Sequence, residues 1–199
     1  MCEFLSGWLK RNGDILMSEY TQSHRLIAIL HGLIDTNGKL LEIATPFEFK
    51  PSTGKYGDPE NYAFEFHETP RPEWATDEIV ERAVESLRAK VRAIIVREPR
   101  PVLVGGPWIL ADGAKVDEAI RAQIIVMYGT SSIGTMCDTS SVGKMCGTSS
   151  IGTMYDTSSI GTMYDTSSVG KMYGTSSIGT MYGTSSVGTD LTAKKVSAK

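Results

Sequence analysis

From Gly129 onward the chain repeats a nine-residue unit: GTSSIGTMC, DTSSVGKMC, GTSSIGTMY, DTSSIGTMY, DTSSVGKMY, GTSSIGTMY and GTSSVGTDL, seven copies ending at Leu191. This constrains the fold more than any other feature, because so short a unit cannot bury its own apolar residues and must stack on its neighbours. Position one is only Gly or Asp (Gly129, Asp138, Gly147, Asp156, Asp165, Gly174, Gly183), the residue types that tolerate a left-handed backbone, and it marks a corner. Position six is Gly in every copy, from Gly134 to Gly188. It predicts a second bend, where a side chain would obstruct the turn or the neighbouring coil, and so two short extended arms per unit.

Position five is always Ile or Val (Ile133, Val142, Ile151, Ile160, Val169, Ile178, Val187), and position eight is Met in six copies (Met136, Met145, Met154, Met163, Met172, Met181). These are the candidate interior ladders of a parallel β-solenoid. In a flat strand a spacing of three would put the two positions on opposite faces, but the Gly between them can turn both inward, with Ser at position three as a further inward candidate.

One nonapeptide is too short to close a coil around Ile and Met, so two units are expected per coil. Successive coils would then lie roughly 4.8 Å apart. A coil of three units is the rival, since Lys144 and Lys171 recur at that interval, but it would stack like charge on like charge. The two-unit, 18-residue register sets position nine in two outer ladders, Cys137, Tyr155, Tyr173 and Leu191 on one and Cys146, Tyr164 and Tyr182 on the other. The four tyrosines are either packing ladders or ligand-binding residues whose faces meet sugar rings or another chain.

The array has a prelude. Ile124 and Met127 sit three apart, and Val116 and Ala119 repeat that spacing one unit earlier. The expected organisation is an α+β domain over residues 1–107 that caps the solenoid, a solenoid over 108–191 with degenerate coils at 108–128 and regular repeats at 129–191, and a basic tail at 192–199. In the first domain, Asn12-Gly13 between two apolar segments is a hairpin signal. Ser23 is placed to cap a helix carrying Leu26, Ile27, Leu30, Leu33 and Ile34, with Asn37-Gly38 ending that region. The alternating segments Ile43 to Lys50 and Tyr62 to Glu68 read as strands, and Thr76 caps a helix through Val80, Val84, Leu87, Val91 and Ile94, completing a ββαββα order.

Composition narrows the function classes. Apolar residues make up 41% and charged residues 22%, ordinary for a folded domain, and the formal charge of −3 disfavours nucleic-acid binding. No apolar run spans a membrane and no secretory signal is readable, so the expected location is cytoplasmic, in the host cell if the gene is a phage's. Cys137 and Cys146 read as free thiols.

Candidate chemistry is sparse. Met1-Cys2 would expose a terminal thiol beside its own amine if Met1 is removed, which makes Cys2 a candidate catalytic nucleophile; the opening resembles that of class II glutamine amidotransferases over two residues and a strand only. His24, His31 and His67 offer no metal-ligand spacing, and Asp35, Asp58 and Glu65 no paired-carboxylate signature. The repeat is similar in length to calcium-binding nonapeptides but lacks their paired Gly and regular Asp. Its threonines suggest the hydroxyl arrays of ice-binding solenoids, but with Gly between them. No cofactor or metal is expected.

The whole chain resembles a family. The CEFLSG start, the NGDIL turn, the SHRLI helix start, the GGPWIL approach and the GTSSIGTMY array are similar to uncharacterised proteins of bacteriophages and their bacterial hosts that carry nonapeptide solenoid tails. The resemblance implies the fold and a phage or prophage origin, and no activity. The expected function is accordingly a non-enzymatic structural or binding repeat protein that presents Ser/Thr/Tyr ladders. It would form a homo-oligomer, end to end or through the tyrosine face, with a glycan or protein as a further partner. A small hydrolase using Cys2 and a carbohydrate- or cell-surface-polymer-binding module are the alternatives.

Overall fold

The computed structural model describes residues 5–18, 21–33, 40–51 and 55–192. Cys2, Ile34, Asp35, the Asn37-Gly38 step and the tail beyond Thr192 lie outside the described residues. The chain divides into two compact units, Met1–Ala93 and Ile94–Lys199. Among the described residues no helix is long and apolar enough to cross a membrane.

The first unit is a small α+β region. Strand β1 (Leu5–Lys10) turns at Asn12-Gly13, with Gly13 at φ +89°, into β2 (Ile15–Leu16), as the hairpin signal requires. With β3 (Ala44–Pro51) and β4 (Tyr62–Phe66) they form a four-stranded antiparallel sheet in the order β2-β1-β3-β4. Leu9, Phe47 and Phe49 are fully buried. Helix α1 (His24–Leu30) starts at Ser23, whose hydroxyl accepts the Leu26 N–H. A short α2 (Leu40–Ile43) precedes β3, and α3 (Asp77–Ile94) starts where the Thr76 hydroxyl accepts the Ile79 N–H.

Helix α1 departs from expectation. Ile27 and Ala28 are buried, whereas Leu26 and Leu30, read as its inner face, are exposed together with Ile29. The helix ends at Leu30, so it is too short to carry the stripe from Leu26 to Leu33 that the 3.6-residue pattern implied.

The second unit is a parallel β-solenoid. After β5 (Ile95–Val96), β6 (Arg100–Leu110) and β7 (Lys115–Met127), each nonapeptide supplies one strand: β8 (Ser132–Cys137), β9 (Ser141–Met145), β10 (Ser150–Met154), β11 (Ser159–Met163), β12 (Ser168–Gly174), β13 (Ser177–Met181) and β14 (Ser186–Thr192). The sheet order β13-β11-β9-β7-β8-β10-β12-β14 sends alternate units to two flanks that meet at β7. Ser150, Ile151, Thr153 and Met154 lie opposite Ser168, Val169, Lys171 and Met172, so one coil takes two nonapeptides. Lys144 faces Thr162 and Lys171 faces Thr153 and Thr189, which keeps the two lysines on different flanks.

The glycine at position six acts within a strand. Bridge partners fall at positions four, five, seven and eight of each unit, and position six drops out of the register. That break allows residues three apart to share one face: Ile151 and Met154, like their equivalents from Ile133 to Ile178, are buried in a single apolar column, against which Met181 and Val187 are partly buried. Only glycine fits there, because a Cβ on Gly152 would stand 2.5 Å from the Gly134 carbonyl oxygen in the adjoining coil. The two arms expected of each unit are therefore halves of one strand.

Position one takes the left-handed conformation in all seven copies, with φ between +55° at Asp138 and +69° at Gly147. Thr at position two then joins coil to coil. In Thr148, Thr157, Thr166, Thr175 and Thr184 both the amide and the hydroxyl donate to the carbonyl of position one in the preceding coil. Asp at position one adds a clasp of its own: Asp156 accepts the Asp138 N–H, and Asp165 accepts the Gly147 N–H at 2.9 Å. At the start of the array the carboxylate of Asp112 accepts both the amide and hydroxyl of Thr130, bonds that hold it below the usual carboxylate range.

The prelude reads as expected, with one residue missing. Val116 and Ala119 lie opposite Ile133 and Met136, one residue short of two full units, while Ile124 and Met127 lie opposite Val142 and Met145 at the full two-unit interval. The corner between the two pairs is a single left-handed residue, Arg121 at φ +50°, which dispenses with a Thr at position two.

Ser at position three is inward and buried in six copies, Ser131 to Ser176. Ser140 donates to the Ala119 carbonyl and accepts the Ala122 N–H, whereas the Ser158 hydroxyl has no hydrogen-bond partner. A buried hydroxyl without a partner costs about 1–3 kcal/mol. Ser158→Ala is therefore expected to leave stability unchanged or raise it by up to about 1 kcal/mol, and Ser140→Ala to lower it by about 1 kcal/mol or more. Urea unfolding followed by circular dichroism distinguishes the two.

Candidate functional site

The tyrosines stand where the register requires. Tyr155 and Tyr173 stack at a centroid distance of 5.0 Å and an interplanar angle of 9°, and Tyr164 and Tyr182 at 5.2 Å and 14°. Each ring covers one face of its partner, a contact worth about 0.5–1.5 kcal/mol beyond the area it buries. The stacking leaves a ligand the ring edges, because Cys137, Leu191 and Cys146 continue the ladders beyond Tyr155, Tyr173 and Tyr164. Tyr155 and Tyr182 are exposed; Tyr164 and Tyr173 are half-buried.

Cys137 and Cys146 begin the two ladders as free thiols. Burial pushes both thiols above their ordinary range, with the negative charges of Asp138 and Glu118 adding to it at Cys137 and that of Asp165 at Cys146. Thiols so placed are poor nucleophiles, since the thiolate is the reactive form. The other thiol considered for catalysis, Cys2, lies outside the described residues. At position two the hydroxyls of Thr148, Thr157, Thr166, Thr175 and Thr184 are engaged with coil-to-coil carbonyls rather than offered to an outer array.

The first unit holds a polar cleft that the spacing of its histidines does not reveal. Thr21, Gln22, Ser23, His24, Arg25, Glu48, His67 and Glu68 line a volume of about 590 Å³. His24 and His67, far apart in sequence, stack ring on ring at 4.3 Å. His24 Nε2 meets the Phe47 carbonyl at 2.8 Å, and His67 Nδ1 lies 3.2 Å from Glu48 and its Nε2 3.6 Å from Glu68. Glu48 is shared with Lys50, which also pairs with Glu65 at 2.6 Å; that hydrogen bond is the main reason the Lys50 pKa is raised. Glu68 sits at φ +54°, unusual for a residue with a side chain.

An imidazole between two carboxylates is suited to ion pairing and to orienting a polar ligand. The remaining candidates are dispersed. His31 Nε2 meets the Met17 carbonyl, and Asp58 caps a short 3-10 turn by accepting the Glu60 N–H. Among the described residues no group of three or more His, Cys, Asp or Glu could hold a metal ion.

The fold and surface define a parallel β-solenoid preceded in the chain by a small α+β unit, its outer flanks carrying stacked tyrosines. No protein-family model, curated protein or solved structure matches the chain.

Proposed function

We propose that the chain is a non-enzymatic structural or binding repeat protein of phage or prophage origin. Its solenoid is a rigid support that presents Ser, Thr and Tyr ladders to a surface polymer or to another copy. The observation that carries this reading is the pair of tyrosine stacks, Tyr155 on Tyr173 and Tyr164 on Tyr182, repeated at one spacing on a backbone whose corners are stitched coil to coil. Regularly spaced, half-exposed aromatic edges on a scaffold with little freedom suit a repetitive partner, because each added contact comes with its position already set. The phage origin is supported by the sequence resemblance alone.

A second reading places the ligand in the His24 and His67 cleft, favoured by its volume and by the polar residues that line it. One experiment separates the two: a glycan and cell-wall polymer array probed with the wild-type chain, with Tyr155→Ala/Tyr173→Ala, and with His67→Ala. Loss of about tenfold or more in binding is expected in the tyrosine variant only. Loss confined to His67→Ala moves the site to the cleft, and equal binding by all three chains ends the ladder reading.

A further inference from the structure

The cleft of the first unit is lined by two chemically different groups of side chains. The first belongs to the segment that leads into α1. Gln22 Oε1 accepts the Ser6 N–H at 2.8 Å, Thr21 Oγ1 accepts the Ser23 N–H at 3.0 Å, and Ser23 Oγ accepts the Leu26 N–H. Each has given an acceptor to the backbone, so what it holds for a ligand is chiefly hydrogen: the Gln22 amide and the two hydroxyls. Arg25 lines the same cleft, is exposed, and has no ion-pair or hydrogen-bond partner among the described residues. The second group is acidic. Glu48 is engaged by His67 Nδ1 at 3.2 Å and Lys50 at 3.4 Å, whereas Glu68, its side chain 84% exposed, has His67 Nε2 at 3.6 Å, beyond hydrogen-bond reach. Both groups are fixed to the sheet. Trp8 Nε1 donates to the His24 carbonyl and His24 Nε2 meets the Phe47 carbonyl, each at 2.8 Å, and His67 stacks on His24.

We infer that this cleft binds a free α-amino acid, its carboxylate on Arg25, Gln22 and Thr21 and its ammonium on Glu68. A guanidinium without a partner, beside side chains left mainly with hydrogens to give, selects a carboxylate, which has only acceptors. An inorganic anion would find the same donors, but it would also face the carboxylates of Glu48 and Glu68 with nothing to offer them. A simple cation would meet Glu68 and be repelled by Arg25. A ligand that carries both charges satisfies both groups. The volume of about 590 Å³ leaves room for the side chain of the amino acid as well. It falls within the roughly 300–1,000 Å³ typical of small-molecule sites. Because Gln22, His24 and His67 are already held by the sheet, little of their freedom remains to be lost on binding. The cleft gains an occupant of its own, a small molecule rather than a polymer, so the tyrosine ladders and the cleft can each fail as binding sites without the other.

The test is isothermal titration calorimetry of the full-length chain with the common L-amino acids, each up to about 10 mM. At least one should bind, and its carboxamide and N-acetyl forms should each bind about tenfold more weakly or worse. Arg25→Gln should weaken binding of the free amino acid about tenfold and remove its advantage over the carboxamide. Glu68→Gln should have the matching effect on the amine, removing the advantage over the N-acetyl form. Both side chains are exposed, so either substitution should leave the fold intact, which circular dichroism verifies. A wild-type chain that binds none of the amino acids overturns the inference. So does a preference for the free carboxylate that survives Arg25→Gln, or a preference for the free amine that survives Glu68→Gln.

Discussion

Gly152→Ala is expected to destabilise the solenoid by about 3 kcal/mol, a large effect for a single methyl group. The new Cβ would meet the Gly134 carbonyl oxygen at 2.5 Å, and that oxygen belongs to backbone, which cannot swing aside as a side chain can. The same contact recurs at Gly161 against Gly143 and at Gly170 against Gly152, at 2.6 and 2.5 Å, so the interior of the array has no copy in which the clash is relaxed. Relief requires the two coils to separate at that point, which loosens strand pairing and the Ile and Met column together. The control is Gly147→Asp. Gly147 has φ +69°, yet its equivalents Asp138, Asp156 and Asp165 hold the same left-handed corner with a side chain. Asp165 also accepts the N–H of the residue one coil earlier, so an Asp at 147 can regain part of its cost by capping Gly129. Gly147→Asp should therefore cost less than about 1 kcal/mol. Urea unfolding of the two variants, followed by circular dichroism, checks the difference; equal destabilisation would refute the role given to position six.

The second large effect is graded along the stack. Ile160 is 2% exposed and lies between Val142 and Ile178 in one column. Ile160→Ala should cost about 3 kcal/mol, since a cavity closed above and below by neighbouring coils cannot collapse. Ile178, 8% exposed in the end coil, can be partly replaced by water, and Ile178→Ala should cost about half as much. Because each unit is coupled to its neighbours rather than to one central core, amide exchange should show the Ile160 variant opening on both sides of the site and the Ile178 variant fraying from the end only.

The regular part of this architecture was legible because the array writes the same instruction seven times. The restriction of position one to Gly or Asp marked the left-handed corner, Ile or Val with Met marked the column, and the repulsion of two stacked lysines favoured the shorter coil over the longer. The stitching at Thr148 and Thr157 was not legible, for the opposite reason. Thr never varies at position two, so the sequence offers no contrast from which to read that its hydroxyl faces the previous coil rather than water. The place of position six inside a strand was hidden likewise, since the obstructing carbonyl comes from a residue two units earlier. In the first unit the Asn12-Gly13 turn and the Ser23 and Thr76 caps are local signals and were readable. The meeting of His24 with His67 depends on how α1 lies beside β3 and β4, which no spacing along the chain encodes.

The division of alternate units between two flanks has a consequence for how such an array can change in length. Gain or loss of a pair of nonapeptides leaves every later residue on its own flank, and all contacts past the site are restored one level up or down. Gain or loss of a single nonapeptide sends everything beyond it to the opposite flank, moving Asp190 from the line of Met172 to that of Met163 and Met181. Length variants of this chain that keep their surface pattern should thus differ by even numbers of units, and the odd ones should carry a rearranged exterior.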